Sequence, residues 1–299
     1  MKIVERFGKL ILLGDQLTVQ SIENAFQSRK DSCTDFEAFN YIHVVKLGDF
    51  HMEMNAVIKS IQSMMPSESS IDKASLSYFA RRLVIEHLVS NKANMIKKVG
   101  NYQMNQQFFV TVGREFLRSA LKTFFKDHIL EIEKKFNFGC QNLLNIVCDL
   151  MNQFLELHNI KLWYDPTDSP SFSDDLKKYA SDASARVLLV MVFSHAIKYG
   201  DTECIRACHR VFVAFFYAHD GNVSKYAPCI MNNLVDYEAS SEKGKKMIDL
   251  FSSVNCYGKE GYGVPADMVC EWSVKSVKHL ENRFNSTYEV LIIKKTKIY

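Results

Sequence analysis

With 299 residues, 47% of them hydrophobic and 24% charged, the chain can bury a sizeable core without disulfide staples, and its composition excludes disordered and fibrous classes. Lys and Arg number 37 against 34 Asp and Glu, so the net charge of +3 excludes the strong basic excess of a phosphate-dominated nucleic-acid binder. Any DNA contact is expected to be local and weak through this segment alone, and steeply salt-dependent.

The N-terminal MKIVERFGKLILLG carries Glu5 and has no small-residue cleavage site, so it does not read as a signal peptide. A cytoplasmic or nuclear protein with no membrane contact is the expectation. The eight irregularly spaced cysteines agree with reduced thiols.

The first element is a strand over about 9–14, where KLILL is a short apolar run ended by Gly14. An amphipathic helix follows through Leu17, Ile22, Ala25 and Phe26, with Asp15 or Thr18 as its cap. YIHVVKL, about 41–47, is β-branched and aromatic and closes on Gly48 and Asp49, just as the first strand closes on Gly14 and Asp15. One helix fits between the two strands, so the unit reads as β-α-β with parallel strands and both aspartates at one sheet edge.

Helical periodicity then dominates from Phe50 to about Asp165. The longest apolar run, Ala185–Phe193, is about half of what a bilayer-spanning helix requires and reads as a core segment. DPTDSPSFSDD, 165–175, is a surface loop. Helices resume over Leu176–Tyr199, Thr202–His219 and Tyr226–Tyr237, and NCYGKEGYGVP leads as a turn into a last helix from about Ala266 to Phe284. The Lys243, Lys245, Lys246 and Lys294, Lys295, Lys297 clusters read as solvated faces or tails. Cys204, Cys208 and His209 lack a second ligand pair at zinc-site spacing and read as helix packing.

The fold class is therefore mainly α with a small α/β element, in one domain spanning 1–299. The strand-bearing part is 1–60 and 250–299, and the helical insertion about 61–249. A degenerate ribonuclease-H-like core with a long helical insertion fits that order, although such a core has further antiparallel strands between its first two acids.

Three pieces carry candidate chemistry: GDQLT (Gly14–Thr18), GDFH (Gly48–His51), and the last helix with Asp267 and Glu271. Taken singly, Asp15 and Asp49 are ordinary N-caps, Glu271 is an ion-pair partner for Lys275, and His51 is a locally bonded imidazole. Taken together, Asp15, Asp49 and Glu271 have the order of a catalytic acidic triad. With Asp267 and His51 they could hold Mg²⁺ or Mn²⁺ through hard oxygen ligands, as phosphodiester cleavage or strand transfer requires. On the last helix Asp267 and Glu271 are spaced as neighbours.

In GDQLT, GDFHMEMN, DKASLSYF and VNCYGKEGYGVPADMVCEWSVKSVK the chain resembles a family recorded as domain of unknown function 6589. Gly258, Gly261, Asp267, Glu271 and Lys275 take the places of its closing pattern, while Trp272 and Ser273 depart from it. The resemblance implies a eukaryotic, mobile-element-associated origin and so favours a transposon-derived nuclease- or integrase-like domain. The alternatives are a non-catalytic helical interaction scaffold and a degenerate transposase remnant. Protein partners are not legible.

Overall fold

A computed structural model describes residues 10–35, 37–64, 75–82, 102–136, 148, 175–219 and 221–284. The loop at 165–174, the Lys294–Lys297 cluster, and the helical segments expected over 83–89 and 140–160, Cys148 excepted, lie outside them. The chain divides into two compact units. The first comprises Met1–His51, Ile197–Thr202 and Val235–Tyr299, and the second Met52–Ala196 and Glu203–Leu234.

In the first unit β1 (Leu10–Gly14) and β2 (Ile42–Leu47) pair in parallel, from Leu10 opposite Ile42 to Gly14 opposite Leu47. Between them runs α1 (Gln16–Arg29), so the β-α-β unit read from the sequence is present. Gly48 N–H donates to the carbonyl of Gly14, the last residue of β1, at 2.8 Å, which carries the pairing one residue past the end of β2. The two Gly-Asp corners therefore stand side by side at one sheet edge. Val44, Val45 and Leu47 are buried, as befits a strand that reads as an almost continuous apolar run.

Two elements of this unit were not legible from periodicity. The segment α8 (Glu242–Leu250) is a helix capped by Ser241, and it buries Gly244 and Ile248. A Cβ at Gly244 would lie 2.6 Å from His43 Nε2, so glycine there lets α8 approach β2. Lys243 and Lys246 lie on its exposed side. A hairpin of β3 (Ser253–Val254) and β4 (Val264–Pro265) then leads directly into α9 (Ala266–Phe284).

The second unit is helical among its described residues: most of α2 (Asp49–Met64), then α3 (Leu76–Arg82), α4 (Tyr102–Phe136), α5 (Asp175–Tyr199), α6 (Thr202–Tyr217) and the start of α7 (Tyr226–Ala239). Its core is aromatic. Phe193, Phe212, Phe215 and Phe216 are essentially inaccessible to solvent and meet edge-on or stacked at centroid separations of 5.1–6.5 Å. Gly113 of α4 faces Val187 of α5 where a Cβ would come within 2.2 Å, so the two helices meet at a position only glycine can occupy.

Cys208 and His209 are buried in this unit, and the His209 ring lies 5.8 Å from that of Phe193, which accords with helix packing. By length and composition α5 could cross a membrane over Tyr179–Tyr199, a longer stretch than Ala185–Phe193 alone suggests. In the structure 50% of that window is buried inside protein.

Candidate functional site

The two Gly-Asp corners look alike in sequence and act differently. At the first, Asp15 is the N-cap of α1, its Oδ1 accepting from Thr18 N–H at 2.8 Å. Burial raises the Asp15 pKa, but hydrogen bonds from the Thr18 side chain and backbone and the field of His51 outweigh that, so the net shift is downward.

At the second corner Asp49 is the first residue of α2 and is not its cap. Its Oδ2 accepts from Lys46 Nζ at 2.6 Å, both side chains being almost fully buried. Lys46 Nζ also donates to Ser252 Oγ at 2.9 Å, which ties β2 to the residue before β3. The expectation of an Asp49 N-cap is thus corrected. Gly48, having no side chain to cap with, leaves that task to a residue far away in sequence.

That residue is Asp267, in the first turn of α9. Its Oδ1 accepts from Phe50 N–H at 3.0 Å and its Oδ2 from His51 N–H at 3.2 Å, so it satisfies amide donors that the start of α2 would otherwise leave open. A Cβ on Gly48 would sit 2.2 Å from Asp267 Oδ2. The glycine of GDFH therefore makes room for a carboxylate 219 positions along the chain.

Asp267 Oδ2 also lies 3.0 Å from His51 Nδ1, where the imidazole donates, and Glu271 Oε1 stands 3.7 Å from His51 Nε2. His51 is thus bracketed by two carboxylates one helical turn apart on α9. Burial pulls its pKa down, yet the hydrogen bond and charge of Asp267, then the charges of Glu271 and Asp15, carry it above the ordinary imidazole value. These carboxylates thus favour the protonated, cationic form of His51.

Asp267 is 5% exposed and the Glu271 side chain 35% exposed, while Trp272 is 44% exposed, so the acidic side of α9 is the one turned inward. Four of the five candidates, Asp15, His51, Asp267 and Glu271, share one electrostatic neighbourhood at the ends of the parallel strands, where ligands of such sheets commonly bind. The fifth, Asp49, is neutralised by Lys46. Among the described residues, no three His, Cys, Asp or Glu side chains stand together as a ready-made metal cage. Sequence reading missed Lys46 and Ser252. The available signal was a lysine at the penultimate position of a mostly apolar strand, three residues before an aspartate.

Residues 3–298 match the profile of a family described as "Family of unknown function (DUF6589)". No curated protein and no solved structure matches the chain.

Proposed function

The chain belongs to this family, and from that premise we propose that it is an intracellular, transposon-derived nuclease- or integrase-like domain whose acidic corner takes Mg²⁺ or Mn²⁺ and acts on a phosphodiester. The observation that supports this is the bracketing of His51 by Asp267 and Glu271, with Asp15 close enough to add its field.

The residue types suit a hard cation, since carboxylate oxygens with one imidazole beside them are the donors that Mg²⁺ or Mn²⁺ takes. Asp15, Asp267 and Glu271 would supply oxygens, and His51 a nitrogen or a proton relay at Nε2. A divalent ion bound there would stabilise the negative charge that develops on a phosphoryl oxygen. Asp49 is a positioning residue in this reading, since its pairing with Lys46 sets the β2–α2 corner that carries His51. The parallel pairing of two strands that each lead into an aspartate accords with a reduced ribonuclease-H-like core.

One observation favours the non-catalytic scaffold: Asp267 already spends both oxygens on the α2 amides and on His51. Thermal unfolding in Mg²⁺ and Mn²⁺ separates the readings. A metal site predicts that either ion raises the melting temperature of wild type by mass action and leaves Asp15→Asn unmoved, asparagine being an equally good cap. Identical melting with and without the ions, in both proteins, would leave only the scaffold.

A further inference from the structure

We propose that the β3–β4 hairpin and the end of α5 form a seat for single-stranded nucleic acid, the substrate strand of the acidic corner; the inference rests on the phosphodiester reading above. The hairpin loop carries the glycine-rich run that the acidic corner does not use, and it is held by its own bonds. Asn255 Nδ2 donates to the Lys259 carbonyl at 2.7 Å, and Asn255 Oδ1 accepts from Tyr257 N–H at 3.2 Å. Gly258 and Gly261 turn the chain at φ of 63° and 78°, in the left-handed region. Gly263 N–H donates to the Lys198 carbonyl at 3.0 Å, and a Cβ there would come within 2.4 Å of the Ile197 carbonyl.

So fixed a loop turns aromatic rings outward. Tyr257 is 72% exposed and Tyr262 55% exposed, with ring centroids 5.8 Å apart, and Tyr199 is 52% exposed beneath Gly261. Beside them opens a cleft of about 480 Å³ lined by Lys198, Tyr199, Lys246, Asp249, Leu250 and Glu260. Lys198 and Lys246 supply charge for phosphates, and Lys259 lies on the loop itself.

Flat rings beside lysines fit an unpaired strand, whose base faces are open for stacking, better than a duplex, whose bases are already stacked. Asp249 and Glu260 in the same cleft cancel much of its charge, so phosphate attraction alone does not hold the ligand and the rings must. The hairpin also links the seat to the acidic corner. Ser252, before β3, accepts from Lys46, and β4 runs straight into α9 and Asp267. A strand lying across the loop would thus rest on an element continuous with the helix that carries those carboxylates.

The test uses the full chain and fluorescence anisotropy with labelled oligothymidylate and with a duplex of equal length. Wild type should bind the single strand in preference to the duplex. The double variant Tyr257→Ala/Tyr262→Ala should weaken single-strand binding by roughly tenfold or more, and Tyr257→Phe/Tyr262→Phe should retain it. Both pairs lie on the surface, so matching melting temperatures check that folding is intact. Equal affinity for duplex, no loss in the alanine pair, or no binding by wild type would overturn the seat. So would a concentration-dependent dimer in sedimentation that the alanine pair abolishes without affecting DNA, since the rings would then serve a second copy. The acidic corner is judged separately by the Mn²⁺ shift in melting, which the tyrosine variants should keep and Asp15→Asn should lose.

Discussion

Lys46 is the side chain whose removal should cost most at the level of single residues. It is 3% exposed, paired with Asp49 and bonded to Ser252, so Lys46→Met would strand a buried carboxylate. Breaking a buried pair from one side typically costs about 3–5 kcal/mol. Denaturant unfolding should show a loss of that order for Lys46→Met, and a smaller one for Lys46→Met/Asp49→Asn, in which the unpaired charge is also gone. Two histidines should give opposite pH signatures. The pKa of His51 is raised from about 6.5, so the stability it contributes is fully present below that pH and is lost as pH rises through the higher folded value. For His219 burial lowers the pKa; the Phe215 carbonyl at its Nδ1 pulls it back up, and the Arg186 charge 3.2 Å from Nε2 lowers it further. Its contribution is full above about 6.5 and is lost on acidification toward the depressed value. Equilibrium unfolding from acid to mildly alkaline pH should therefore flatten on the alkaline side in His51→Gln and on the acid side in His219→Gln. A wild-type profile reproduced by both variants would show that neither histidine is linked to folding.

Among the elements, the start of α2 matters most, because its cap comes from α9. Gly48→Ala adds a methyl group 2.2 Å from Asp267 Oδ2, so the carboxylate must retreat from the Phe50 and His51 amides. Such overpacking together with a weakened cap should cost about 1–3 kcal/mol in thermal or denaturant unfolding. An unchanged stability would mean that Asp267 does not cap the first turn of α2 in solution. Four of the sequence-derived elements, β1, β2, α5 and α9, stand within one residue of their expected bounds, because strands that close on Gly-Asp and helices bounded by proline or glycine carry strong local punctuation. The helix α8 escaped notice since its buried stripe is only Gly244 and Ile248, too sparse for periodicity to register.

At the scale of the whole molecule, the balance of charge leads to a prediction about DNA. With a net charge of +3, binding to duplex DNA should rest on few phosphates, be weak near physiological salt, and fall steeply between about 50 and 200 mM salt. Tight, salt-insensitive binding in an anisotropy titration would contradict it. The mainly helical class, the parallel β-α-β start and the shared edge of Asp15 and Asp49 follow from local signals, since apolar runs, glycine terminators and crossover length act over a few residues. The adjacency of Asp267 and Glu271 on α9 follows equally from helical spacing. Which carboxylate does what was decided only by the tertiary structure. Asp49 and Asp15 occupy equivalent sequence positions, yet Lys46 claims the first and the Thr18 amide of α1 holds the second. Capping of α2 fell to Asp267 because Gly48 admits a group more than 200 residues distant. Long-range pairing of this kind depends on which surfaces the packed chain brings together, and no periodicity within one segment encodes it.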